Sequence, residues 1–324
     1  MSFPNVSDII ATTLEARSKE IADNVSNNNA LLAWLKKKPG GTKSISGGRL
    51  IYQELSFAEN ANGGFYSGYD NLAVNAQDVI TAAEFAWKQY AVPVVMSGLE
   101  QLQNGGKEAT LDLLEGRIGV AESTMANAIG SSIYSNGTGS GGKEITGLLA
   151  TCPLTPTTGT YGGIDRSVWS FWQPYFVDTT AAASSTTIQG IMNTAWATLV
   201  RGADKPNLII AGAAPWAAYM ASLQALQRFT EASSATLGFP SVKYMGSADV
   251  VLDSGVPGDT GTDEMLMLNT KYLHFVSHKD RNMVPLSPQK RYSVNQDAEV
   301  QILAWAGNLT CSNSKLQGRL AFNT

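Results

Sequence analysis

Gly137 and the pair Gly142-Lys143 have the spacing of a phosphate-binding loop: a glycine, four residues, then glycine and lysine. That chemistry needs a Ser or Thr hydroxyl next, for magnesium, and a loop that joins a strand to the helix whose amino end receives the phosphate. The next residue is Glu144 and the loop follows a helical stretch, so a connector is expected there. His274 and His278 have the spacing of a zinc-binding helix, but no glutamate follows the first and Leu273-His274-Phe275-Val276 is strand-like. In a strand the two rings would stand about 13 Å apart. The chain has 2 histidines in all, too few for a three-histidine metal site or a well-supported catalytic base. Asp249, Asp253, Asp259, Asp263 and Glu264 gather among glycines without the alternating ligand spacing of an EF-hand, so a solvated acidic loop is expected. No Gly-x-Ser-x-Gly elbow occurs, and Cys152 and Cys311 are expected to be reduced, partly buried thiols. These residue types point away from an enzyme, and no cofactor or metal is expected.

The elements that would position any site are organised around one long helix, Lys107 to Tyr134, fenced by Gly105-Gly106 and by the glycine-rich run from Asn136 to Gly142. Leu111, Leu114, Ile118, Ala121, Met125, Ala128 and Ile129 recur at steps of three and four, the mark of one buried stripe. Such a span is roughly 40 Å long at 1.5 Å per residue. Asn104 stands at the cap position, with Glu108 and Asp112 near the positive end of the dipole. Gly116 and Gly119 each cost about 1 kcal/mol relative to alanine, and are either tolerated or admit another backbone.

Upstream, Val6, Ile9, Ile10, Leu14, Ile21 and Val25 outline an amphipathic helix that resumes at Leu31, Leu32, Trp34 and Leu35 before Lys36-Lys37-Lys38-Pro39-Gly40-Gly41 stops it. This is expected to be an arm that packs on a neighbour. Arg49 to Phe57 and Val79 to Trp87 are strand-like and flank a Gly, Asn and Tyr-rich tip from Asn60 to Asp70. Together they predict a projecting hairpin with a reach of roughly 30 Å. Two-stranded ribbons are marginal alone, so its faces and its Phe65, Tyr66 and Tyr69 are expected to meet another subunit. Ala83 to Gly98 is expected to run as strand directly into the long helix, with Pro93 at an edge or bulge. After the helix, Ile145, Leu148 and Leu149 predict a short return strand, and the passage to Asp165 a lobe boundary. A second lobe follows, with helices from Thr187 to Val200 and from Ala214 to about Phe229. Its strands are Leu208 to Ala211, Val242 to Tyr244, Val250 to Leu252, Met265 to Leu268 and Leu273 to Val276. The tail from Arg291 to Phe322 alternates again and is expected to return to the first lobe.

Composition narrows the class. With 324 residues, 44% hydrophobic, 15% charged and a net charge of -4, the chain can bury a large core and is not built for bulk DNA binding. Its 31 glycines and many neutral polar residues fit a surface covered by copies of itself. No leader and no apolar run near 18 residues is present, so neither export nor a membrane span is expected.

Several segments, Ala82-Ala83-Glu84-Phe85-Ala86-Trp87-Lys88-Gln89-Tyr90, Ser97-Gly98-Leu99-Glu100, the Leu113 to Met125 helix, Asn295-Gln296-Asp297-Ala298 and Gly307-Asn308-Leu309, together resemble a known family. In the order arm, hairpin, long helix, inserted lobe and returning strand, the chain is similar over nearly its full length to tailed-bacteriophage major capsid proteins of the HK97-type fold. The resemblance implies an α+β architecture with an N-terminal arm over 1–45, an extended β-hairpin E-loop over 46–82, a peripheral domain over 83–160 and 281–324 with a spine helix at 107–134, and an inserted axial α/β domain over 161–280. It implies a virion capsid protein made in the bacterial host cytoplasm. Copies would gather as hexamers and pentamers into an icosahedral shell around double-stranded DNA held without sequence specificity. A portal protein, a separate scaffolding protein and a decoration protein are the implied partners, with no membrane. The alternatives are an encapsulin-like protein compartment and a β-rich surface adhesion protein.

Some related shells crosslink through an E-loop lysine, but Leu50 through Trp87 contains none, so a shell without such crosslinks is expected. The candidate assembly residues are Trp34, Lys36, Lys37, Lys38 and Lys43 on the arm, and Arg49, Glu54, Glu59, Phe65, Tyr66, Tyr69 and Asp70 on the hairpin. Arm lysines facing the hairpin carboxylates, Asp78 and Glu84 included, would register neighbouring subunits.

Overall fold

A computed structural model describes residues 29–103, 107–223, 241–253, 255–256, 262–286, 291–292 and 297–323. The expected helix over Val6 to Val25, the Asn104 cap, Asp259 and the side chains of Leu111 and Leu114 lie outside the described residues.

Helix α1 (Ala30–Lys37) begins at Asn29, whose side chain accepts from the Leu32 amide at 2.8 Å and so satisfies one of the free amides of the first turn. Leu31 and Leu35 are buried, and Lys36 and Lys37 occupy the last turn, where the negative end of the dipole favours cations. Strand β1 (Thr42–Ile45) follows, then the ribbon of β2 (Leu50–Ser56) and β3 (Ile80–Ala86), antiparallel from Leu50 opposite Ala86 to Ser56 opposite Ile80. Strand β4 (Lys88–Ser97) does not run straight into the long helix as expected. A short helix, α2 (Gly98–Gln103), comes first, because Ser97 and Glu100 form a capping box: each side chain accepts from the other's backbone amide, at 3.3 and 3.2 Å. Arg117 then clamps Glu100 with two bonds of 2.8 and 3.0 Å, which holds the Glu100 carboxyl below its ordinary range.

The long helix α3 (Lys107–Ser132) has 26 residues, about 39 Å at 1.5 Å per residue. Ala121, Met125 and Ile129 are buried as the stripe requires. A side chain at Gly119 would meet nothing within 4 Å, which favours tolerance over backbone approach at that position. The phosphate-loop look-alike is a turn in which Gly137, Ser140, Gly141 and Gly142 all take positive φ. The expected return strand is instead a single helical turn, Leu148–Thr151. Gly147 sets it there: a side chain at that position would run into the carbonyl oxygens of Ile133 and Ser135, and the Leu148 amide donates to Ile133 O at 2.8 Å. The hairpin of β5 (Thr160–Tyr161) and β6 (Ile164–Asp165) turns through Gly162 and Gly163 at φ of 58° and 76°, the left-handed pair that tight hairpins need.

The remaining elements are β7 (Tyr175–Thr179), α4 (Ile188–Leu199), β8 (Leu208–Ala211), α5 (Ala213–Leu223), β9 (Ser241–Tyr244), β10 (Ala248–Leu252), β11 (Thr262–Leu268), β12 (Leu273–His278), β13 (Val284–Pro285), β14 (Arg291–Tyr292), β15 (Ala298–Cys311) and β16 (Gly318–Asn323). Two compact units emerge. Among the described residues, one comprises parts of Gln89–Ile129 and Asp280–Trp305, and the other Asn29–Lys88, Gly130–Lys279 and Ala306–Thr324. In the smaller, β13 and β14 pair antiparallel with the 299–304 part of β15. In the larger, β12 pairs with the 307–311 part of β15 and β1 lies parallel to β12. The larger unit also holds a mixed sheet in the order β7-β16-β11-β8-β10-β9. Its core joins Ile188, Met192, Ala195 and Leu199 of α4 to Ile209, Met265, Met267, Leu320 and Phe322 of the sheet. Strand β16 therefore lies between β7 and β11, whereas the alternation of the tail had placed these residues with the first lobe.

Two members of the acidic cluster, Asp253 and Glu264, are not solvated. Asp253 is buried, and its Oδ2 accepts from the Ala30 amide at 2.9 Å and the Tyr134 hydroxyl at 2.7 Å, while Oδ1 accepts from the Gly255 amide at 2.8 Å. Asn29 Nδ2 donates to Gly130 O at 2.8 Å beside it, so one carboxylate and one amide pin α1 to the end of α3. Glu264 is also buried and pairs with Arg319, whose Nε donates to Oε2 at 2.9 Å and whose Nη1 reaches Cys152 O at 3.2 Å. Buried charges are tolerated only with such partners. Cys152 and Cys311 are fully buried free thiols; burial pushes Cys152 up to about 12 and Cys311 higher, so both are chemically quiet.

Asp253→Ala strands two buried donors, the Ala30 amide and the Tyr134 hydroxyl, and each such loss costs about 1–3 kcal/mol. Urea unfolding of the unassembled protein is expected to show a loss of about 3 kcal/mol, with Asp253→Asn losing clearly less because it keeps an acceptor. Equal, small losses for both would contradict the role given to this carboxylate.

Candidate assembly interface

The ribbon alternates, strictly along β2 and from Ala83 onward in β3. Ile51, Gln53 and Leu55 of β2 and Ala83 and Phe85 of β3 are buried, while Tyr52, Glu54, Ser56, Ile80 and Glu84 are exposed. The inner face is covered by its own subunit, which corrects the expectation that both faces need a neighbour. Phe85 meets the edge of Tyr161 at 5.3 Å, the Glu84 amide donates to Gly162 O at 2.9 Å, and Gln53 Nε2 donates to Thr310 Oγ1 at 3.1 Å. Asn308, fully buried on β15, is the polar hub below: Nδ2 donates to Ala86 O and Oδ1 accepts from the Thr146 amide, both at 2.9 Å. Its Asn chemistry suits the place, since one side chain offers both donors and acceptors.

Where β2 ends, Phe57 packs against Trp169 at 5.5 Å and Phe171 at 5.9 Å. A groove of about 480 Å³ opens here, walled by these three rings and by Gly162 and Gly163, with Glu84 and Asp165 also lining it. Trp169 and Phe171 were missed by the sequence reading; the signal was the aromatic run Trp169-Ser170-Phe171-Trp172 in a passage otherwise rich in Thr and Gly.

Beyond Phe57 the chain forms the tip and has no strand until Ile80. Two local turns shape it. The Gly63 amide donates to Asn60 O at 3.3 Å, and the Asp70 amide donates to Ser67 O at 2.9 Å while Asp70 Oδ2 accepts from the Ser67 amide at 2.8 Å. Asp70 is thus a turn-former, not a free charge. The turns leave the apolar rings bare: Phe65 and Tyr69 are as exposed as in an extended chain, at 111% and 106%, and Tyr66, Leu72 and Val74 are exposed as well. An uncovered set of this kind makes the tip a candidate protein interaction site.

The arm residues divide. Trp34 is half-buried, and Lys36, Lys37 and Lys43 are exposed. Lys38 is half-buried with Nζ donating to Thr270 Oγ1 at 3.1 Å, and burial followed by Lys271 nearby lowers its pKa, so it is a strut within the fold. Arg49, Glu54 and Glu59 are exposed on or beside the ribbon. The structure therefore brings Phe65, Tyr66, Tyr69 and Asp70 together on the tip, and leaves Trp34 and the lysines on separate elements. The histidines are apart in role: His274 Nδ1 lies 2.8 Å from Gly40 O and His278 packs on Trp87 at 5.4 Å. Among the described residues no cluster of three or more His, Cys, Asp or Glu could hold a metal ion, and no helix is long and apolar enough to cross a membrane.

No protein-family model matches the chain, and no curated protein matches it in sequence. Solved structures do match it in fold. The capsid asymmetric unit of cyanophage A-1(L) superposes with a TM-score of 0.69 at 19% identity, covering 95% of this chain and 97% of that one. The capsid of a native GTA particle gives 0.63 at 15% identity, covering 96% of each chain. The holo-SrpI encapsulin from Synechococcus elongatus PCC 7942 gives 0.54 at 10% identity, covering 100% of this chain and 97% of that one. At these identities the likeness is one of architecture, and it runs from end to end: the chain has the HK97-type fold of phage capsid proteins.

Proposed function

We propose that the chain is the major capsid protein of a tailed bacteriophage, which self-assembles as hexamers and pentamers into an icosahedral shell enclosing double-stranded DNA. The observation that carries this reading is the end-to-end likeness to a phage capsid subunit, 95% of one chain on 97% of the other, with no large part left over for a different task. The bare tip supports it, because a shell supplies every subunit with the neighbour that such a surface needs.

On this reading the ribbon and its tip are the E-loop over 46–82, α3 is the spine helix of the peripheral domain, α1 belongs to the arm, and the mixed sheet with α4 and α5 forms most of the axial domain. The work is mechanical, so copies of the chain are the first partners. DNA is held without sequence specificity, and a portal, a separate scaffolding protein and a decoration protein complete the set. An encapsulin-like compartment is the second reading, favoured by the likeness to holo-SrpI over the whole chain.

Negative-stain imaging of the expressed protein is expected to show uniform closed shells; a monomer by sedimentation would overturn both readings. Nucleic acid within particles from the native source separates the phage shell from a compartment filled with protein. On a denaturing gel the purified particles are expected to run as one band, given the lysine-free ribbon, and a covalent ladder would contradict that. Lys36→Glu, Lys37→Glu and Lys43→Glu together are expected to cut shell yield on the order of tenfold if arm lysines meet carboxylates of a neighbour. Unchanged yield would remove that pairing.

A further inference from the structure

The groove beside Phe57 has two chemistries that one guest must satisfy. Its rings, Phe57, Trp169 and Phe171, offer edge and face contacts to another flat apolar group. Its carboxylates, Glu84 and Asp165, can only accept hydrogen bonds once ionised. Ser167 donates to Asp165 Oδ1 through both its amide and its hydroxyl at 2.8 Å, which holds the Asp165 carboxyl below its ordinary range. A guest with an aromatic body and a hydroxyl donor meets both demands.

The tip displays two such groups, Tyr66 and Tyr69, and of these Tyr69 lies inside a closed turn. Tyr69 is the third residue of the turn closed by Ser67 and Asp70, fully exposed, and set by two hydrogen bonds that already fix the backbone around it. A group presented this way loses little freedom on docking. Arg49 also combines a flat group with donors, but it stands at the start of β2 and not on the projecting tip.

The geometry points to the groove as a socket for Tyr69 of a neighbouring copy of this chain, its ring among Phe57, Trp169 and Phe171 and its hydroxyl donating to Glu84 or Asp165. This rests on the shell-forming reading and specifies its contact. On the shell-forming reading the contact runs head-to-tail, from the tip of one subunit to the socket of the next. Repeated by rotation, such contacts close into rings, which is the form a hexamer or pentamer requires. The socket sits at the point where its own tip departs, so each subunit receives one tip where it sends out another.

The test is photocrosslinking in assembled shells. Chain carrying Tyr69→p-benzoylphenylalanine is co-assembled as a minority with unsubstituted, isotope-labelled chain, irradiated, digested and mapped by mass spectrometry. The expected predominant adduct joins residue 69 of the light chain to peptides of the heavy chain spanning Thr81 to Glu84 or Ile164 to Phe171, and Trp169→Ala in the heavy chain is expected to abolish it. Shells whose adducts fall elsewhere, fall only within one chain or do not form overturn the socket while leaving the shell reading intact. Failure of the unsubstituted protein to assemble at all overturns the shell reading and the socket with it.

Discussion

The ribbon can leave the body of the subunit only because one of its faces is finished. Phe85 against Tyr161, Gln53 against Thr310 and Asn308 beneath Ala86 bury the inner face of β2 and β3 within the subunit. An isolated two-stranded hairpin is marginal in water, and this packing is what turns it into a fixed bracket. Everything beyond Phe57 depends on that bracket. The tip has turns of its own but no core, and its rings remain uncovered.

Rigidity elsewhere comes from single polar groups with several partners. Asn308 joins the exit of the glycine turn to the ribbon, Asp253 joins α1 to the end of α3, and Glu264 with Arg319 ties β11 to β16. Gln317 does the same for Asn269, accepting from its amide at 3.0 Å and donating to its carbonyl at 3.1 Å. In a chain only 15% charged, such buried hubs specify one arrangement.

What the sequence made legible was local. The ribbon strands and α4 were placed to within one residue, because alternation and helical spacing are written in neighbouring positions. The Ser97-x-x-Glu100 capping box was equally local, but the apolar run through Met96 masked it as continuing strand. The misread carboxylates had another cause. Asp253 finds its partners 223 and 119 positions away and Glu264 finds Arg319 at 55, so spacing within the acidic stretch says nothing about their burial. The place of β16 was hidden in the same way, since its parallel pairing with β7 is not a hairpin relation that alternation can reveal. On the site, the exposed aromatics of the tip were readable from the Gly and Asn around them, whereas the groove needs β3 and the β5–β6 hairpin side by side.

On the shell-forming reading the tip is an assembly element separable from the fold that holds it. Replacing residues 58–78 with a short Asn-Gly turn and measuring thermal unfolding and sedimentation on the same sample tests this most directly. The expected result is a folded subunit whose midpoint lies within a few degrees of the parent and which no longer forms shells. Closed shells from the shortened chain, or a subunit that fails to fold without its tip, would contradict it.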